Sequence, residues 1–111
     1  MRFMMLVCSD TQPDTKAEAP GEINAWVDAV DGSGQRIMGE RLRPAGEGRT
    51  VRVRGGRKMI TDGPFTESKE VILGFDILEC ETIEEAIDIA AKHPVARTGR
   101  IEVRAFWPFE G

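Results

Sequence analysis

Two segments of the chain are apolar on both faces of a predicted β-strand, and this restricts the folds available to it. Residues 3–8 form an unbroken apolar run. In residues 71–80, the side chains of Leu73 and Phe75 fall on one face and that of Leu78 on the other. A strand that is apolar on both faces needs cover on both, so helices on one side of the sheet are not enough. We therefore expect a second cover over the sheet, most simply another copy of the chain.

Two other segments have the periodicity of amphipathic helices. Residues 22–30 carry apolar side chains at spacings of three and four. A second helix is predicted to begin at Thr82, because Thr82 and Glu85 have the spacing of a capping box, and to end before Pro94. His93, the one histidine, falls in the last turn of this helix, where the helix dipole favours the imidazolium form.

A β-hairpin is predicted in the middle of the chain. Residues 51–54 alternate between valine and arginine, and residues 57–61 return after Gly55 and Gly56. Two glycines supply the positive φ angles that a two-residue turn demands. Shorter strands are expected at residues 36–42 and 100–107.

The order β-α-β, hairpin, β-α-β predicts an α+β fold. We expect a ferredoxin-like split βαβ sheet with an added β-hairpin and with both helices on one face. The 111 residues are predicted to form a single domain spanning residues 1–111. In such a sheet Cys8 and Cys80 would end neighbouring strands at opposite ends, too far apart for a disulfide, so we interpret both as packing residues.

Composition excludes several classes of function. The chain has 15 basic and 19 acidic residues, a net charge of −4, whereas nucleic-acid-binding domains usually have a basic excess. The one basic concentration, residues 49–58, lies on the predicted hairpin and has no interleaved aromatic side chains. The sequence contains no apolar run of membrane length and no metal-ligand or nucleotide-binding motif. We therefore expect a cytoplasmic protein with no cofactor and no metal, and with neither a nucleic-acid nor a membrane partner.

Residues 62–70 are the one stretch where several ionisable side chains converge. Asp62 follows a predicted strand and opens a turn that Pro64 stiffens, and we assign it a catalytic, proton-handling role. Glu70 directly precedes a strand that is apolar on both faces, so an inward-facing Glu70 would need a partner. We assign Glu70 as the second catalytic residue and expect Arg104 or Arg41 to pair with it.

The same stretch and the two arginines are assigned to ligand binding. The predicted ligand-binding residues are Arg41, Phe65, Glu67, Lys69 and Arg104. Loops held by rigid strands are where binding groups concentrate. The alternative interpretation is structural: Asp62 makes an Asx-turn, Phe65 anchors the loop in the core, and the remaining charges are solvated.

Residues 61–70 read TDGPFTESKE, which closely resembles the DGPF signature of the YCII-related protein family. The resemblance extends over nearly the whole chain, through residues 39–44, 50–52, 74–75, 84–86 and 101–104. It implies the fold of a dimeric α+β barrel, which agrees with the need to cover both sheet faces. It also implies that the protein forms a homodimer through the sheet faces.

The resemblance implies a function only in outline. One branch of the family has been proposed to use a His–Asp pair in a dimer cleft, with the histidine near the start of the first helix, but residues 20–23 here contain no histidine. Genes of the DGPF branch often accompany extracytoplasmic-function sigma factors, which implies a sigma-factor association. The expected function is a small-molecule-binding or regulatory module. The alternative is a small-molecule enzyme that uses carboxylate acid–base chemistry in a dimer cleft, and both stay open at this point.

Overall fold

A computed structural model describes residues 1–14, 18–64 and 71–109, and its strands form a four-stranded sheet and a two-stranded ribbon. The larger sheet has the order β2-β5-β1-β6 with every neighbour antiparallel, which confirms the predicted ferredoxin-like topology. The elements are β1 Arg2–Ser9, α1 Glu22–Gly32, β2 Arg36–Arg41, β3 Arg49–Arg54, β4 Arg57–Asp62, β5 Ile72–Glu79, α2 Ile83–Ala91, α3 Val95–Thr98 and β6 Gly99–Ala105.

The hydrophobic core lies between the helices and one face of the four-stranded sheet. Phe3, Met5 and Leu78 are fully buried there. Their cover comes from apolar residues of the two longer helices, which are Trp26, Val30, Ala86 and Ala90. The indole Nε1 of Trp26 donates a hydrogen bond of 3.0 Å to the backbone oxygen of Ile89 and so ties α1 to α2. The alternation of β1 and β5 therefore places one apolar side of each strand in this core.

The second helix begins and ends as its local sequence dictates. The Thr82 hydroxyl accepts a hydrogen bond of 3.2 Å from the backbone N–H of Glu85, which confirms the predicted N-cap. Helix α2 ends at Ala91, and Pro94 then acts as the N-cap of the short helix α3. The sequence pattern predicts no helix between the end of α2 and the last strand, where α3 lies.

The predicted hairpin is confirmed as the ribbon β3–β4. Arg54 pairs with Arg57, and the turn between them is Gly55 and Gly56, whose φ angles are 57° and 76°. Both angles lie in the left-handed region that glycine adopts without steric cost. The ribbon is a separate sheet that extends away from the four-stranded one.

The other face of the four-stranded sheet packs against no helix in the described part of the chain, and we call it the open face. The cross-strand register places Met4 beside Ile77, Leu6 beside Phe75, and Met38 on the far side of Ile77. These five apolar side chains are half-buried or exposed, in contrast to their neighbours in the core. The prediction that both faces of β1 and β5 are apolar is therefore confirmed.

Two further features concern the cysteines and the length of the helices. Cys8 and Cys80 are buried free thiols at opposite ends of the β1–β5 pair, as the sequence predicts. Within the described ranges, no helix is long and apolar enough to cross a membrane, and α1 has only 11 residues.

Candidate functional site

Asp62, the first predicted catalytic residue, is the last residue of β4 and lies at the base of the ribbon. Its side chain is 85% exposed and forms an ion pair of 3.1 Å with the Nε of Arg49, its cross-strand neighbour. The turn that follows is held by a 2.8 Å hydrogen bond from the N–H of Gly63 to the oxygen of Gly48. The Thr50 hydroxyl donates a further 2.7 Å hydrogen bond to the Gly63 oxygen. The backbone position of Asp62 is therefore well fixed, and its carboxylate faces solvent.

Four other predicted site residues lie outside the described residues. These are Phe65, Glu67, Lys69 and Glu70. The chain re-enters the described part at Val71, whose N–H donates to the Ser9 hydroxyl at 2.9 Å and whose oxygen accepts from the Ser9 N–H at 2.9 Å. The predicted loop thus connects the base of the ribbon to Val71, which lies beside the end of β1 and leads into β5.

The two predicted arginines lie on the two edge strands of the four-stranded sheet. Arg41 ends β2 beside Gly74, whereas Arg104 lies in β6 beside Met4. With β5 and β1 between the edges, the two strands are about 14 Å apart. Both side chains are exposed, and Arg104 forms an ion pair with Glu102 on its own strand. One protomer therefore does not bring Arg41 and Arg104 together.

The open face combines an apolar centre with charged edges. Glu40 of β2 lies beside Phe75, and Glu102 of β6 lies beside Leu6. Arg104 adds a positive charge next to Glu102. An apolar surface with a few polar groups at its rim is typical of small-molecule sites once a second surface closes over it. The open face is the part of the described structure that best fits such a site.

Asp76 is a buried carboxyl group on the opposite, helix-covered face of β5. Burial raises its pKa, and the guanidinium of Arg36, whose Nε donates to Asp76 Oδ1 at 2.8 Å, acts against this rise. The same arginine is paired with Asp31 at 3.2 Å. The cluster pins edge strand β2 to the sheet and to the end of α1. Asp76 is not among the residues predicted from the sequence. An acidic residue at a core-facing position of a strand indicates that the carboxyl group has a buried partner.

His93 corrects an expectation from the sequence. It lies beyond the end of α2, is 5% exposed, and packs edge-on against Trp26 with ring centroids 4.6 Å apart. Its Nδ1 accepts a 3.0 Å hydrogen bond from the N–H of Val95. Burial lowers the pKa of His93, so the expectation that the helix dipole favours its imidazolium form is wrong. The ring is a neutral packing group.

A depression of about 580 Å³ lies between α1 and α2, away from the open face. Trp26 lines it, and at one end Glu22 forms a 2.8 Å ion pair with Arg97. At the other end Gln35 donates a hydrogen bond to Glu85. The polar groups at both ends are thus already paired with each other. Among the described residues, no three His, Cys, Asp or Glu side chains come together as a metal site.

Comparisons with known proteins identify a family and one sequence relative. A family model described as the YCII-related domain matches residues 1–110. An uncharacterised protein of Rhizobium meliloti (strain 1021) is 41% identical over 66 residues, which are 58% of this chain and 53% of the relative. The chain therefore spans about half the length of the curated relative it matches.

Proposed function

Since the chain belongs to the YCII-related domain family, we propose that it is a small-molecule-binding, regulatory module that works as a homodimer. We assign it to the DGPF branch on the sequence of residues 62–65. The ligand lies between the open face of one protomer and a second copy of the chain. The sigma-factor association of that branch is part of the proposal, as the regulatory output of ligand binding.

The observation that carries the proposal is the half-buried apolar centre of the open face, on which no helix of the described part of the chain packs. Met4, Leu6, Phe75 and Ile77 form a contiguous patch on the two central strands. Such patches on a protein that acts alone are rare, and they usually mark a protein interface or a ligand groove. Glu40 and Glu102 at the rim supply polar groups that orient a ligand within an otherwise apolar cleft.

Binding is favoured over catalysis by the placement of the titratable groups. Among the described residues, the two buried carboxyl or imidazole groups are those of Asp76 and His93, which lie on the helix-covered side and are held by structural partners. Asp62 is solvated and paired with Arg49. The alternative of an acid–base enzyme that uses Asp62 and Glu70 requires a second copy to bury the Asp62 carboxylate.

The first part of the test is the oligomeric state. Sedimentation velocity at micromolar concentration is expected to give a species of twice 12.3 kDa. Replacing Met38 on the open face by lysine should shift this species to monomer, because a charge would be buried at the interface. Ile23 on α1 is the matched control, since its side chain is 42% exposed against 44% for Met38, and Ile23→Lys should remain dimeric.

The second part of the test uses anilinonaphthalene sulfonate, an aromatic amphiphile, as a probe of the cleft. Saturable binding to the dimer is expected, with loss of binding in Met38→Lys and retention in Ile23→Lys. Circular dichroism confirms that each variant is folded. A monomeric wild-type protein, or equal probe binding by both variants, would contradict the proposal. Turnover that is lost in Asp62→Asn without loss of the dimer would instead support the enzyme.

A further inference from the structure

The ribbon β3–β4, residues 49–62, has an apolar side that nothing in the described structure covers. Val51 and Ile60 face each other across the ribbon and are 59% and 53% exposed, and Val53 on the same side is 60% exposed. Every residue of β4 is exposed. An isolated two-stranded hairpin is marginally stable in water, so a ribbon of this composition needs a surface to pack on.

The ribbon is attached to its own protomer only at its base. The contacts there are the Arg49–Asp62 ion pair and the hydrogen bonds that join Gly63 to Gly48 and Thr50. In the described part of the chain, neither a helix nor a strand of the four-stranded sheet packs extensively on the ribbon. The radius of gyration is 16.1 Å, against about 13 Å for a compact chain of this length. The ribbon therefore projects as an arm.

The charge of this arm is opposite to that of the rest of the chain. It carries five of the 15 basic residues, which are Arg49, Arg52, Arg54, Arg57 and Lys58, and one of the 19 acidic residues. The remainder thus holds 10 basic and 18 acidic residues. A basic arm and an acidic body are complementary between two copies of the same chain, and complementary charge orients association.

The flat outline of the open face is smaller than the surface that a stable interface usually buries. Four strands of about seven residues give a footprint of roughly 440 Å². A stable interface buries about 800 Å² on each partner. The apolar side of the arm supplies additional area of the required composition, and it lies on the same chain.

We propose that the arm is exchanged between two copies, which rests on the homodimer proposed above. Val51, Val53 and Ile60 pack on the sheet of the second copy, and Lys58, which lies on the same side of the arm beside Val53, approaches Glu40 of the partner subunit. Asp62, at the base of the arm, is thereby carried to the interface.

The test compares two variants on opposite sides of the arm. Val51→Ser combined with Ile60→Ser removes the apolar side, whereas Met59→Ser changes an exposed residue on the other side, beside Arg52. The dissociation constant of the dimer, measured by sedimentation equilibrium, should rise about tenfold or more for the first variant. It should stay unchanged for Met59→Ser. Near-ultraviolet circular dichroism, which reports on the buried Trp26, verifies that the body remains folded.

The outcomes separate this proposal from the one on which it rests. A monomeric wild-type protein removes both. A dimer that is weakened by Met38→Lys but unaffected by the double arm variant overturns the arm alone and leaves a dimer held by sheet faces. The basic residues are tested with a 20-base-pair DNA duplex at about 0.1 M salt. Micromolar binding that is lost in Arg54→Ser combined with Lys58→Ser would assign the arm to nucleic acid and overturn its exchange.

Discussion

Gly39 and Asp76 face each other across the β2–β5 pair so closely that a Cβ on Gly39 would overlap the Oδ1 of Asp76. Arg36 joins the two residues. Its Nε donates to Asp76 Oδ1 at 2.8 Å, and its Nη2 donates to the Gly39 oxygen at 3.1 Å. The absence of a side chain at position 39 therefore makes room for the buried carboxylate and its arginine.

Gly39→Ala is expected to destabilise the protein by about 1–3 kcal/mol, because the added methyl group displaces Asp76 or Arg36. Urea unfolding measures the change in the free energy of unfolding. Gly32→Ala is the matched control, since a Cβ at Gly32 meets nothing within 4 Å and the residue ends helix α1. Gly32→Ala should be neutral or stabilising by about 0.5–1 kcal/mol. Equal effects of the two substitutions would contradict the close approach.

Asp76→Asn is expected to cost about 1.5–3 kcal/mol, because it removes a buried, charge-assisted hydrogen bond to Arg36 while keeping the side-chain volume. Asp31→Asn changes the second carboxylate on the same arginine, but the Asp31 side chain is 49% exposed. That control should cost less than about 1 kcal/mol. Chemical denaturation at neutral pH compares the free energies of unfolding of the two variants. A larger decrease in Asp31→Asn would show that Asp76 is not the main partner of Arg36.

The buried His93 should make the stability of the protein depend on pH. Burial lowers the pKa of His93 in the folded state below its usual 6.5, and the charge of Glu18 opposes this only in part. Below pH 6.5 the unfolded chain binds a proton that the folded protein does not. The contribution of His93 is therefore fully present above about pH 6.5 and is lost as the pH falls, by at most about 1.4 kcal/mol per pH unit.

Urea unfolding at pH 7.5, 6.5 and 5.5 tests this dependence. In His93→Asn, which keeps an acceptor near the N–H of Val95, the loss between pH 6.5 and 5.5 should disappear. The pH range 5.5–7.5 avoids the titration of Glu22 and Glu79, whose pKa values are lowered by their hydrogen bonds. Their contribution to stability is lost only below about pH 4.5. Wild type and His93→Asn with parallel pH profiles would contradict a neutral, buried His93.

Most of the fold could be predicted because local signals and tertiary packing agree. The apolar patterns of residues 3–8 and 71–80, the N-cap at Thr82 and the Gly55-Gly56 turn each predict an element from a few neighbouring residues. Helix α3 could not be predicted in this way, because four residues are too few to show a helical period.

The candidate site was less accessible to sequence reasoning than the fold. Alternation along β6 places Arg104 on the sheet face opposite Val103, which packs against the core. The proximity of Arg41 and Arg104 depends on strand order, and β2 and β6 occupy opposite edges. The pairing of Asp76 with Arg36 joins residues 40 positions apart and leaves no local pattern. In the proposed dimer a second copy covers Asp62, and no pattern within the sequence of one chain predicts that contact.

The last prediction concerns the tip of the arm, where a substitution separates folding of the body from assembly. Gly56 has a φ of 76°, and a Cβ there meets nothing within 4 Å. A side chain at this position is therefore disfavoured by the backbone conformation and not by a steric clash with neighbours. Gly56→Val should disfavour the turn by about 1–2 kcal/mol, because a β-branched residue rarely adopts positive φ. Gly56→Asn is the control, since asparagine tolerates this conformation. In the proposed arm exchange, the valine variant should weaken the dimer in sedimentation equilibrium while the dilute monomer keeps its unfolding midpoint. A lowered midpoint in the dilute monomer would instead place the arm against its own protomer.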